Sequence, residues 1–360
     1  MDKENTRIPE LDGIRGLAIL MIVLWHYVAC QVKKTGLLSK VIIISTQMMW
    51  SGVDLFFVLS GFLIGGILLK NKGSNNYFKT FYIRRIVRIF PLYYLLVLLC
   101  ILFVFTDFAS DFPWLTDGLM PLWTYLIFIQ NYFMADLFTF GGNWLAITWS
   151  LAIEEQFYLL LPLLLFFIPS KRLPLLLITT IVMAPVSRFI LFNYYSFFAL
   201  FCRMDSLLIG ALLVYVTSNE KYMTWIRANK NKIYVAFSVL VLGFIVMHFK
   251  GASQLKNTWL ALTFAFLILI TLNFKESRIS AFARNKWLRK LGVISYGVYI
   301  FHQLVSGLLH QLILGQSPQL TSLNAFFVTL LSFVVTIIIS VLSFRFYETP
   351  ILKIGQKYKY

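Results

Sequence analysis

Gly52-Val53-Asp54-Leu55-Phe56-Phe57-Val58-Leu59-Ser60-Gly61-Phe62-Leu63-Ile64-Gly65-Gly66-Ile67-Leu68-Leu69 carries one charge in eighteen residues. About 20 such residues, rising about 1.5 Å each, cross the hydrocarbon core of a bilayer as one helix. The apolar residues run on continuously instead of alternating with period two, so the stretch does not read as a strand of a membrane barrel. Its one ionisable residue, Asp54, sits where a charge is costly and needs a partner.

Working outward, comparable runs occupy 13–32, 48–69, 88–106, 149–169, 173–192, 199–217, 233–249, 257–274, 291–311 and 323–345. They predict an all-α polytopic membrane protein of about ten transmembrane helices. The stretch 119–135, with Pro121 and Trp123 inside it and Trp144 close by, is decided by parity. If it does not span, the cations at 70–88, 171–172, 221–232 and 275–290 share one side with Lys3, Arg7, Arg15 and the C-terminal tail. If it does span, the last three of those loops move outside, against the excess of Lys and Arg expected in cytosolic loops. Ten spans with both termini cytosolic follow, with 119–135 as an outer interfacial or re-entrant element whose backbone protein or a wet cavity must cover.

Composition agrees. The 360 residues are 59% hydrophobic and only 13% charged, with mean hydropathy +0.78, against about a quarter charged in soluble domains. The net charge of +17 lies in the loops at helix ends, so it reads as membrane topology first and anion binding second, with no nucleic-acid partner. Cys30, Cys100 and Cys202 show neither zinc spacing nor a disulfide framework. The first run, which holds Arg15 and His26 and has no small-x-small cleavage site, is not a signal peptide. No internal repeat is visible, and 1–360 reads as a single transmembrane domain.

The ionisable residues inside the runs are the functional candidates. Arg15 and His26 are eleven positions apart, which at 100° per residue returns to within about 20° of one face after about 16 Å of rise. A neutral imidazole at that depth suits a general base taking a proton from a hydroxyl, or a buried histidine satisfying a neighbour. Asp54, Gly61 and Gly65 share a face that suits close helix packing or a slender ligand. Arg84, Arg85 and Arg88 offer three guanidinium forks for phosphate, or mark topology alone. Trp149-Ser150-Leu151-Ala152-Ile153-Glu154 opens a span, with Ser150 and Tyr158 on the Glu154 face. Glu154 reads as a carboxylate that orients a histidine, or as a partner for Arg188 or Arg203. Arg203 and Asp205, two residues apart, do not face each other on a helix and each needs another partner. Ser295, Tyr299 and His302 form a polar stripe with Tyr296 beside it, a cavity wall or a packing seam.

Taken together, the chain resembles the acyltransferase-3 family of bacterial integral membrane O-acyltransferases. The resemblance rests on Leu11-Asp12-Gly13-Ile14-Arg15-Gly16 with His26, Gly52-Val53-Asp54 through Phe62, Arg85-Ile86-Val87-Arg88 with Pro91, and Trp149-Ser150-Leu151 with Glu154, Phe157 and Tyr158. Ser295-Tyr296-Gly297 with Tyr299 and His302, and Phe346-Tyr347-Glu348-Thr349-Pro350, complete it over about 8–352. It implies that acyl-coenzyme A, usually acetyl-coenzyme A, binds from the cytosol and that the acyl group passes to a hydroxyl, often of a carbohydrate, in the bacterial plasma membrane. It implies that Arg15 and His26 are the family's paired Arg and His, Arg85 and Arg88 its second basic motif, and Glu154 its carboxylate. No metal is expected. Some members carry an extra extracytoplasmic hydrolase-like domain. The chain stops at Tyr360, so the expectation is that a second transfer step falls to a separate extracytoplasmic transferase.

In the mechanism expected from the sequence, Arg84, Arg85 and Arg88, with Arg15, hold the phosphates, and the pantetheine arm runs along the Gly61/Gly65 face to His26. His26 takes the acceptor proton and Glu154 stabilises the imidazolium, or an acyl-histidine forms. Two other readings stay open: a transporter or flippase, against which the lack of inverted repeats weighs, and acylation of a small hydroxylated metabolite.

Overall fold

The computed structural model describes residues 8–33, 36–191, 194–251 and 254–360. Lys3 and Arg7, counted above for topology, lie outside the described residues. Among those described, ten helical stretches are long and apolar enough to cross a membrane, as the apolar runs predict. Their main helices are α1 (Pro9–Leu24), α2 (Gly52–Lys70), α3 (Tyr77–Val104), α4 (Thr148–Phe167) and α5 (Leu173–Ile190). The rest are α6 (Leu200–Thr217), α7 (Lys230–Lys250), α8 (Lys256–Asn273), α9 (Ser295–Leu314) and α10 (Leu323–Ser343). Local chemistry ends several of them. Gly251 and Gly315, at φ +70° and +63°, close α7 and α9 in the left-handed conformation that glycine adopts at little cost. Ser322 caps α10 by accepting from the Ala325 N–H.

The 119–135 stretch does not span. It holds only the short helices Leu122–Leu126 and Gln130–Asp136, and seven residues rise about 10 Å, a third of the hydrocarbon core. A positive-φ turn at Phe128 (57°) separates the two short helices, and another at Phe138 (54°) follows the second. The buried Phe128 ring stacks on Tyr93 with centroids 4.3 Å apart.

Two compact units divide the chain. The first comprises Ser51–Lys72, Glu154–Val293 and the described part of Met1–Ala18. In it α6 packs against α2, α5 and α8, and α7 lies on α8. Glycine sets the closest approaches. A Cβ at Gly61 would overlap the Leu207 carbonyl, a Cβ at Gly210 the Val58 carbonyl, and a Cβ at Gly65 would stand 3.1 Å from the Ala211 Cα. Gly13 and Gly16 are tight against the Ala283 and Leu288 carbonyls in the same way. The second unit comprises Ile19–Trp50, Gly73–Ile153 and Ile294–Tyr360. There α9 packs along α10, and the helix Thr349–Gln356 packs on α3.

Candidate functional site

In the second unit the α-helical hydrogen bonding of α1 gives way at Trp25 to a π-turn, Trp25–Ala29, closed by the Cys30 N–H on the Trp25 carbonyl at 2.9 Å. Single π-turns of this kind gather at functional positions. His26 sits in it, and its Nδ1 lies 3.0 Å from His302 Nε2, with ring centroids 4.9 Å apart. His302 is fully buried on α9, and its Nδ1 lies 2.7 Å from the Tyr299 carbonyl and 3.2 Å from the Val298 carbonyl. Next to the pair, the Tyr27 hydroxyl donates to the His302 carbonyl at 2.7 Å and lies 3.1 Å from Thr336 Oγ1. One turn on, Gln31 donates to Ser306 at 3.4 Å and accepts from Thr329, which also contacts His310. This polar seam fixes the end of the first span against α9 and α10.

The second unit also holds the Trp149-Ser150 motif. The Tyr299 hydroxyl lies 2.7 Å from the Ile147 carbonyl and 2.7 Å from Ser150 Oγ, and Ser150 Oγ is itself 3.4 Å from that carbonyl, so the two hydroxyls share it. Below them the buried Gln130 amide donates to the Thr148 carbonyl and hydroxyl at 3.0 and 3.1 Å. The Tyr93 hydroxyl, 3.3 Å from the same amide, donates to the Tyr125 carbonyl. Burial pushes the Tyr125 hydroxyl well above its usual range. At the start of α3, Arg84 directs Nε and Nη2 to the Tyr358 carbonyl at 3.0 and 2.7 Å and lies over the Tyr360 ring. Two of its donors thus hold the segment 358–360, whereas Arg88 is exposed and interacts electrostatically with Glu348. Burial raises the Tyr360 hydroxyl, and Arg84 and Arg85 partly offset this.

In the first unit Ser60 donates to Glu154 Oε1 at 2.7 Å and accepts from the Tyr158 hydroxyl at 2.9 Å, a directed chain ending on the carboxylate. Deeper in, Arg203 meets Asp54 at 2.9 Å with Ser206 on the same oxygen at 3.2 Å. Arg188 meets Asp205 at 2.8 Å, with Thr258 donating to that carboxylate at 2.6 Å, and also donates to the Cys202 carbonyl. Arg203 and Asp205 thus take partners on other helices. Gly61 and Gly65 receive the α6 backbone, which is the packing role of that face. Asp12 borders a cavity of about 290 Å³ together with Lys286, Arg289 and Lys290, and Arg15 is half-buried on α1.

Sequence reasoning named His26, His302, Tyr299 and Ser150 without pairing them. It missed Tyr27, Gln31, Gln130, Ser306, His310 and Thr336 as their support. Among the described residues no group of three His, Cys, Asp or Glu side chains gathers that could hold a metal.

These features define a polytopic α-helical membrane protein with a histidine pair and directed hydroxyl chains inside its helices. Residues 8–345 match the acyltransferase-3 family, described as an acyltransferase domain, and the chain belongs to that family. It is 28% identical over 377 residues to the peptidoglycan O-acetyltransferase OatA of Listeria monocytogenes, covering 97% of this chain and 56% of that protein. It is 27% identical over 381 residues to the O-acetyltransferase OatA of Staphylococcus aureus, covering 97% and 58%. The chain therefore spans little more than half the length of these relatives. No solved structure matches it.

Proposed function

We propose that the protein is a multi-pass enzyme of the bacterial plasma membrane that moves an acetyl group from a cytosolic acyl-coenzyme A to a hydroxyl of an exported or cell-surface polysaccharide. The match to an acyltransferase domain over 8–345 carries this reading, both relatives are named O-acetyltransferases, and the name of the Listeria relative points to peptidoglycan as the acceptor. The whole of 1–360 acts as one transmembrane domain.

Arg85 and Arg88 are the phosphate-binding groups, since Arg forks match phosphate oxygens bidentately, while Arg84 serves to hold the segment 358–360. The nucleotide end cannot enter hydrocarbon and stays at the arginines, and the thin, largely neutral pantetheine arm carries the thioester inward. His26 takes the proton of the acceptor hydroxyl as the oxygen attacks the thioester carbonyl. The carbon–sulfur bond then breaks, and the leaving thiolate takes the proton from the imidazolium. Glu154, held by the Ser60 hydroxyl, is a second group supporting transfer.

The test is incubation of washed membranes containing the chain with radiolabelled acetyl-coenzyme A. Alkali-labile label on a glycan or lipid-linked sugar, absent from membranes without the chain, supports the proposal. Label confined to small metabolites would move the acceptor to that class, and no ester-linked label at all would refute it.

A further inference from the structure

We propose that His302 is a positioning residue that fixes His26 as the Nδ1–H tautomer and so makes Nε2 the basic atom. The tautomer follows from hydrogen bonding alone, and only its catalytic consequence rests on the acyl-transfer reading above.

The deduction starts at the buried end. Carbonyl oxygens only accept, and His302 Nδ1 faces two of them, on Tyr299 and Val298. Nδ1 therefore carries a proton. In the neutral ring Nε2 is then a bare acceptor. The atom 3.0 Å from it is His26 Nδ1. Two lone pairs at that distance would repel, so His26 Nδ1 carries the proton and donates. Its own Nε2 is left with the lone pair.

The opposite polarity needs a second proton on His302. That would place an imidazolium in a fully buried position, and among the described residues of this unit no carboxylate oxygen pairs with it. A buried charge without a partner is the costlier arrangement. The neighbouring hydroxyls do not change the assignment. Tyr27 donates to the His302 carbonyl, and Tyr299 to the Ile147 carbonyl or Ser150 Oγ, so neither supplies a proton to the ring.

The role is that of the group behind the base in a hydrolase triad, which holds the imidazole in one tautomer and one orientation. Here a neutral imidazole, anchored to helix backbone, does it in place of a carboxylate. His26 is partly exposed whereas His302 is buried, so the bare Nε2 lies on the less buried of the two rings.

The chain has four histidines, which makes ring nitrogens resolvable one by one. The experiment is solid-state nitrogen-15 NMR of the full chain in bilayers with ring-labelled histidine, each ring assigned by single substitution. The wild type should show His26 with Nδ1 protonated and Nε2 bare. His302→Leu should move His26 toward the Nε2–H form that free imidazole side chains prefer, and His302→Gln, whose amide oxygen can accept, should restore the Nδ1–H form. In the acetyl-transfer assay His302→Leu should lower kcat at least tenfold with KM for acetyl-coenzyme A unchanged, and His302→Gln should recover part of it. A wild-type His26 protonated at Nε2 overturns the proposal without any variant, as does a His26 tautomer that ignores His302→Leu. If the spectra are as expected and no chain transfers acetyl, the tautomer assignment stands and the enzymatic reading falls.

Discussion

Arg203 and Asp54, 149 positions apart in sequence, meet at 2.9 Å with both side chains buried. Breaking such a pair leaves an uncompensated charge, which costs about 3–5 kcal/mol, whereas replacing both members with apolar groups is often neutral. Asp54→Ala should therefore lower the thermal unfolding midpoint in detergent sharply, and Asp54→Ala with Arg203→Met should recover most of the loss. Equal midpoints for the single and double variants would mean that the two charges are not coupled.

Gly61 and Gly66 lie on the same helix but face different surroundings. A Cβ at Gly61 would overlap the Leu207 carbonyl, whereas at Gly66 the nearest atoms are 3.9 Å away. Backbone cannot swing aside as a side chain can, so Gly61→Ala should cost about 1–3 kcal/mol by overpacking, and Gly66→Ala close to nothing. Thermal unfolding of the two variants side by side checks this. Two equally stable variants would contradict the close α2–α6 contact.

Cys30 is exposed, whereas Cys100 and Cys202 are buried. The reactive form is the thiolate, and only a thiol that the reagent can reach is modified. Alkylation by a small membrane-permeant reagent, read by mass spectrometry on the intact protein, should therefore label Cys30 in the folded chain and all three cysteines only after denaturation. Rapid labelling of all three in the folded protein would contradict the burial of Cys100 and Cys202.

The spans were legible because each is a local property, about 20 apolar residues in a row. Parity and loop charge then correctly kept 119–135 from being counted. The four-residue spacing of Gly61 and Gly65 marks a helix face but does not say what lies on it: the sequence mechanism ran the pantetheine arm there, whereas the structure fills it with the α6 backbone at Leu207 and Ala211. The pairing of charges was legible only in part. That Arg203 and Asp205 look away from each other follows from helix geometry, but that they meet Asp54 and Arg188 depends on which helices are neighbours. The π-turn at Trp25–Ala29 has no mark in the residue pattern, so the 100° stripe drawn from Arg15 to His26 holds only as far as Leu24. His26 and His302 stand 276 positions apart, and no spacing rule joins them.

The most direct test is acetyl transfer by wild-type and His26→Ala membranes at matched expression, with radiolabelled acetyl-coenzyme A and alkali-labile label on carbohydrate as the readout. Loss of a general base removes about 10²–10⁴-fold in rate, so the variant should fall to the level of membranes lacking the chain while its unfolding midpoint stays near that of the wild type. Transfer by His26→Ala at the wild-type rate would contradict the account.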